Sequence, residues 1–234
     1  MVGTLVLHHA WRSGAQKVVA AGAGCGYPEH ASNLPKEESF WDRFPQQESA
    51  PYSLAKRMLH VQSMAYWRQH RFPIVVGVPG NYGPYDNFDL EQAHAVPALV
   101  RKFVEATDGH VRVTAWGTGK PTRDFVYAGV IAGRPIKGRR NLRSIGVGQP
   151  VSSGIDTSVR ELVESLREIT GFKGEVVWDT NRPDGPESAP VRCPQGGSRI
   201  GRAKTSLREG LQKTVDWYRA HRREAHNTVA AVHA

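Results

Sequence analysis

Phe72-Pro-Ile-Val-Val-Gly-Val78 is a continuous apolar run between breakers, the pattern of a strand covered on both faces. Just ahead of it, Ala50 to His70 reads as a long helix, with Leu54, Met58, Leu59 and Met64 among its apolar positions. Ahead of that, Lys17-Val-Val-Ala-Ala21 reads as a buried strand, preceded by a short helix over Gly3 to Ser13. Strand, helix, strand in this order implies a parallel α/β unit. Downstream, the pattern predicts a helix over Ala95 to Ala106, with Pro97 in its first turn, and a strand over Val111 to Ala115. Ser158-x-x-Glu161 is a capping box ahead of Val159, Leu162, Val163, Leu166 and Ile169, and Gly171 stops that helix. Glu175 to Trp178 reads as a short strand, and Ser206-x-x-Glu209 caps a final helix carrying Leu207, Leu211, Val215 and Tyr218. The expected architecture is a parallel α/β sheet beside a small α/β lobe.

Composition narrows the class. A hydrophobic fraction of 39% with six tryptophans suffices for a core in 234 residues, and no apolar run approaches membrane-spanning length. The N-terminus lacks the basic start and cleavage site of a secretory signal. Cys25 and Cys193 are the only cysteines, so a disulfide framework is not expected and a cytoplasmic location is. The charge of +9 comes from 31 basic against 22 acidic residues, with clusters at Lys137 to Arg143 and Arg219 to Arg223. No nucleic-acid motif accompanies them, so neither nucleic acid nor a membrane is an expected partner. Gly129 to Gly148 and Pro186 to Gly201 show little periodicity and interrupt the pattern, as a disrupted reading frame would.

The chemistry centres on Tyr52-Ser-Leu-Ala-Lys56. Positions four apart share a helix face, so the lysine cation can lower the pKa of the phenol and hold a cofactor sugar while the phenol moves a proton. The spacing alone is common by chance, but here it opens a strong helix one loop after a buried strand. The next strand ends in Pro79-Gly80-Asn81-Tyr82-Gly83-Pro84, which is either turn chemistry or a site at the carboxyl ends of parallel strands. Gly22-Ala-Gly-Cys-Gly26 follows the first strand but leads into Tyr27-Pro28, not a helix. It therefore reads as a loop over a site and not as a phosphate cradle, which needs helical amides behind the glycines.

Several segments together resemble the GDP-L-fucose synthase family of extended short-chain dehydrogenases. They are Cys25-Gly-Tyr-Pro28, Pro51 to Lys56, Gly83-Pro-Tyr-Asp-Asn-Phe88, His94-Ala-Val-Pro-Ala-Leu99 and Trp116-Gly-Thr-Gly-Lys-Pro-Thr-Arg-Asp-Phe125. Thr157 to Leu162, Arg182-Pro-Asp-Gly185 and Thr205 to Gly210 add support. The resemblance implies a truncated Rossmann-like doubly wound parallel sheet with a small C-terminal α/β substrate lobe. Residues 1–128 would be the remainder of the NADP-binding domain with interleaved substrate-binding segments, and 129–234 mainly the lobe and the C-terminal helix. It also implies a homodimer through the helix before Lys17 and the Ala50 to His70 helix.

The same resemblance implies conversion of GDP-4-dehydro-6-deoxy-D-mannose to GDP-L-fucose with NADP(H). Tyr52 would protonate the C4 oxygen, Lys56 would bind the nicotinamide ribose, and Cys25 and His94 would move protons at C3 and C5. Gly22, Ala23, Pro79, Gly80, Asn81, Tyr82 and His94 would lie along the cofactor, and Lys102, Trp116, Arg123 and Asp184 along the GDP-sugar. No metal is implied. Taken singly, these residues have plainer explanations. A lone cysteine is more often a small buried hydrophobe, a histidine before a helix can be a cap, and a tryptophan is more often core.

Departures from the family shape a further expectation. The family has a serine two residues before the cysteine, where Ala23 stands here, and its first strand, glycine-rich turn and adenine-ribose pocket precede the matching region. The chain is therefore expected to be impaired, and the Lys17 to Ala21 strand to present a bare edge. The alternatives are another nucleotide-sugar 4-epimerase or dehydratase, or a non-catalytic sugar-nucleotide-binding remnant.

Overall fold

The computed structural model describes residues 2–28, 38–45, 47–109, 111–132, 149–151, 153–182, 184 and 205–227. In chain order its elements begin with α1 (Val2–Arg12), β1 (Val18–Ala21), α2 (Ala50–His70), β2 (Ile74–Pro79) and β3 (Asn81–Tyr82). There follow α3 (Ala95–Ala106), β4 (Arg112–Trp116), β5 (Thr122–Arg123), β6 (Val126–Tyr127) and α4 (Ala128–Ala132). The last are β7 (Gln149–Val151), β8 (Thr157–Ser158), α5 (Val159–Thr170), β9 (Glu175–Asp179), α6 (Leu207–Ala220) and α7 (Arg222–Asn227). No described helix is long and apolar enough to cross a membrane. Two compact units divide the described residues, one running to Gly80 and taking in 149–154, the other formed by the rest. Residues 1–128 thus contribute to both units.

The first unit is built on a three-stranded parallel sheet in the order β1-β2-β7. Val18 lies opposite Ile74 and Ala21 opposite Gly77. Parallel neighbours cannot be joined by a tight hairpin, so the chain crosses over through α2. Leu7, Leu59, Phe72, Ile74 and Val76 form the buried cluster between sheet and helices. The strand expected over Phe72 to Val78 begins at Ile74, because Arg71 ends α2 in a left-handed conformation (φ 52°) and the chain needs Phe72 and Pro73 to turn into the sheet. Among the described residues β1 pairs only with β2, and its Val19 is exposed.

In the second unit α3, α5 and α6 pack around Phe88, Val100, Phe103, Leu162, Leu166, Leu211, Val215 and Tyr218. Three short strand pairs border that core. β3 pairs with β6 and β4 with β9, both parallel, while β5 and β8 are antiparallel. The capping box of α5 is complete, with Ser158 Oγ accepting from the Glu161 amide and Glu161 bonding back to the Ser158 amide. Gly171 closes the helix at φ 76°. Ser206 caps α6 in the same way through the Glu209 amide. That helix is not the last, as the short α7 follows His221 and buries Ala225. A second correction concerns Ala128 to Ala132, which form a helical turn where irregular chain was expected from Gly129 onward. The remainder of that stretch, and Pro186 to Gly201, lie outside the described residues.

His60 gives the first unit a pH dependence. Its ring is 2% exposed, its centroid is 4.9 Å from that of Phe40, and burial lowers its pKa from 6.5 to about 4. The unfolded chain binds this proton below its ordinary pKa while the folded chain does not. The contribution is therefore complete above pH 6.5 and is lost as pH falls toward 4. We expect urea unfolding to show a loss of up to about 3 kcal/mol over that window, flattened in His60→Gln.

Candidate active site

The first unit brings together Tyr52, Lys56, Ala23 and Cys25. Pro51 sits in the first turn of α2, and the helix presents Tyr52 and Lys56 on one face, with the ammonium 5.4 Å from the phenol ring centroid. Lys56 Nζ donates to the Ala21 carbonyl at the carboxyl end of β1 (2.7 Å). The Tyr52 side chain is 55% exposed, and its pKa is pushed up, first by burial and then by the charge of Cys25 beside it. This corrects the expectation that Lys56 lowers it. The ammonium is engaged by a backbone carbonyl, and burial, with the charge of Cys25 second, sets the direction of the shift.

Cys25 is a half-buried free thiol on a 3-10 turn, Gly24–Gly26. The turn closes through the Gly26 amide on Ala23 O (3.1 Å) and the Tyr27 amide on Gly24 O (3.0 Å). The chain then runs extended through Tyr27 into a bridge between Pro28 and Pro45. Gly22 is packed closely against β2. Its amide bonds to Gly77 O (2.6 Å), and a Cβ there would stand 3.0 Å from Val76 Cγ1, so a close approach to β2 accounts for the glycine. Ala23, half-buried and extended, carries no donor. Pro79 ends β2, and Gly80 beyond it is exposed.

The remaining predicted residues lie in the second unit. Asn81 is exposed, but the Tyr82 ring is buried and its hydroxyl donates to Leu207 O (3.1 Å). The Tyr82 side chain is therefore core, and only its backbone is left for a ligand. His94 occupies the N-cap position of α3 yet makes no capping bond through its side chain, which is exposed. A capping role does not explain it. Asp86 is its electrostatic neighbour, with a carboxyl pushed up by burial and drawn back by the Asn87 amide, His94 and the Gly83 amide. The Gly83 to Phe88 segment drew attention to that stretch, but nothing in the sequence singled out Asp86.

Trp116 ends β4 half-exposed, with Lys102 Nζ 5.4 Å and Arg182 Cζ 4.9 Å from its ring centroid. Lys102 also donates to Thr114 O (2.9 Å), and burial lowers its pKa. Arg182 is an addition. Its motif was visible in the sequence, but its partner on β4 is 66 residues away. Arg123 stands on β5, donating to Thr122 O (2.7 Å), with its pKa lowered by burial. Both Asp184 oxygens accept from Thr118, one from the amide and one from the hydroxyl, and these bonds hold its pKa down. Asp184 therefore shapes the turn after Trp116 and is not an unengaged ligand group. Among the described residues no group of three or more His, Cys, Asp or Glu could hold a metal ion.

Gly117, at φ 75°, completes that turn, and a Cβ on it would run into the Asp184 carboxylate. Gly117→Ala should destabilise the second unit by about 1–3 kcal/mol in chemical unfolding.

Comparison with known proteins places the chain in a family. Residues 1–132 match the model of the NAD dependent epimerase/dehydratase family. GDP-L-fucose synthase 1 of Arabidopsis thaliana is 34% identical over 222 residues, covering 93% of this chain and 68% of that protein. The GDP-L-fucose synthase of Sinorhizobium fredii is 33% identical over 216 residues, covering 90% of this chain and 68% of its own length. The chain thus spans about two thirds of the curated relatives it matches. Among solved structures, a GDP-6-OMe-4-keto-L-xylo-heptose reductase from C. jejuni aligns with TM-score 0.79 at 25% identity, over 94% of this chain and 75% of that one. A GDP-L-fucose synthetase from Naegleria fowleri bound to NADP aligns at 0.81 and 22% identity, over 94% and 71%, and shares the fold. The chain belongs to the NAD dependent epimerase/dehydratase family, with a Rossmann-like fold and GDP-L-fucose synthases as its curated relatives.

Proposed function

We propose that this chain carries out epimerase-reductase chemistry on GDP-4-dehydro-6-deoxy-D-mannose with NADP(H), a reading supported by its likeness to relatives named GDP-L-fucose synthase. The observation that carries the reading is the convergence of Tyr52, Lys56 and Cys25 at the carboxyl end of β1. The 4-keto group acidifies the hydrogens on C3 and C5, and Cys25 and His94 move those protons. A phenol with a raised pKa stays protonated at neutral pH, the form Tyr52 needs to protonate the C4 oxygen. Lys56 uses one N–H on Ala21 O and keeps two donors for the hydroxyls of a nicotinamide ribose. Bound NADPH would supply the hydride. The described residues fit the ribose end of that cofactor; none of them forms a glycine turn leading from a strand into a helix, so no pyrophosphate contact is assigned. Trp116 offers a face to a base, and Lys102 and Arg182 offer charge to a diphosphate.

NADPH oxidation with the 4-keto sugar nucleotide tests the assignment. Tyr52→Phe should lower turnover about a hundredfold or more, and the wild-type rate should fall only at alkaline pH, as the phenol ionises above its ordinary value. Unchanged turnover in Tyr52→Phe would contradict it. Ala23 leaves the C4 oxygen with the Tyr52 hydroxyl but no second side-chain donor, so wild-type turnover should be low and Ala23→Ser should raise it at least about tenfold.

A homodimer is part of the same proposal. Val2, Leu5 and Val6 on α1 and Leu54, Met58 and Val61 on α2 are exposed at helical spacing, and the two helices pack together. Sedimentation should show a dimer that Met58→Glu turns into a monomer. A cytoplasmic location fits the free thiol of Cys25. The second reading, a sugar-nucleotide binder without catalysis, is favoured by one observation, that the Trp116 cluster is assembled while no phosphate cradle is among the described residues.

A further inference from the structure

Two consecutive cations of α2 bracket the segment that carries Cys25. Lys56 Nζ holds the Ala21 carbonyl at its start, and Arg57 Nε holds the Gly26 carbonyl at its end (2.6 Å). Arg57 differs from every other described arginine and lysine in being buried, at 9% exposure. Its Nη2 donates to Arg43 O (2.8 Å), and its guanidinium lies over the rings of Phe40 (5.4 Å) and Trp41 (6.0 Å). Both hydrogen-bond partners are backbone carbonyls, so the head group serves to hold main chain in place.

The Cys25 turn depends on that grip. Its own closure consists of two main-chain bonds, and Ala23 at its start makes no side-chain cap. On the far side Gly26 lies flat on the Phe40 ring, where a Cβ would come within 2.6 Å of Cε2, and the Tyr27 ring meets Phe40 edge-on at 4.9 Å. Phe40 is in turn covered by the Arg57 guanidinium. Helix α2, the Cys25 turn and the chain from Phe40 to Arg43 therefore meet at one side chain.

We propose that Arg57 is a positioning residue that fixes the place of the Cys25 thiol relative to Tyr52, which stands on the same helix. Lys56 shares its ammonium between Ala21 O and the ribose proposed above, whereas Arg57 directs its donors to main-chain carbonyls on either side of the turn. The catalytic meaning of this role rests on the reaction proposed above; the positioning itself does not.

The test reads Cys25 directly, in full-length chain carrying Cys193→Ser so that one thiol reports. Iodoacetamide alkylation is followed across neutral to alkaline pH, with amide exchange of Gly26 and Tyr27. Arg57→Met should raise the alkylation rate roughly fivefold and speed exchange at both amides, because the turn opens more often. Arg57→Lys, which can still reach Gly26 O, should return the rate to within about twofold of the parent. Leu59→Ala, a core change on the same helix, controls for lost stability and should leave both rates unchanged at an equal fall in melting temperature. If Arg57→Met does not fold, Arg57→Gln is measured against the same control, with the same direction expected. Unchanged rates in the Arg57 variants, or the same change in Leu59→Ala, would overturn the proposal. Since alkylation needs no substrate, a failed turnover assay with the expected alkylation pattern would remove the reaction and leave the positioning role standing.

Discussion

The parallel pairing of β1 with β2 is the constraint on which the first unit depends. Two parallel neighbours require a crossover, and here the crossover is α2, whose opening turns must therefore lie at the carboxyl ends of the strands. Tyr52, Lys56 and Arg57 all sit in those turns. Lys56 can reach Ala21 O, and Arg57 can reach Gly26 O, because β1 ends where α2 begins its pass. The sheet thus determines where the reactive side chains can stand, and the cations of α2 then hold the loop that leaves the sheet.

The second unit solves a different problem. Among the described residues its strands form short pairs, α3, α5 and α6 supply its core, and the capped ends of α5 and α6 fix where the loops depart. Trp116 stands at the end of β4, half out of the core, with cations over its face and a turn braced by Asp184 behind it. An aromatic ring left exposed between two cations is poorly explained by packing alone. The function proposed above gives the ring and its cations a base and a diphosphate to hold.

Much of this was legible in the chain, for physical reasons. Ala50–His70 and Ala95–Ala106 form over the predicted residues because their apolar spacing, first-turn prolines and breakers all agree. The Ser158 capping box is a local interaction and could be read locally. The site was read partly from residue spacing and partly from resemblance, and both sources missed what depends on burial. Sequence cannot show that the Tyr82 hydroxyl is engaged by Leu207 O, that Gly22 is glycine because of Val76, or that burial and the neighbouring Cys25 push the Tyr52 phenol up. Arg57 was passed over for the same reason. In sequence it is one more basic residue on a basic chain, and only its burial against Phe40 and two carbonyls gives it meaning.

Proton exchange is the step closest to the central claim, because it needs the sugar nucleotide and the chain's own acids and bases but no nicotinamide. The direct measurement is NMR of GDP-4-dehydro-6-deoxy-D-mannose incubated with the protein in heavy water without cofactor. The account predicts deuterium at C3 and C5 well above the buffer background, retained in Tyr52→Phe and lost in Cys25→Ala combined with His94→Ala. No incorporation above background in the wild-type chain, or full incorporation in the double variant, would contradict it.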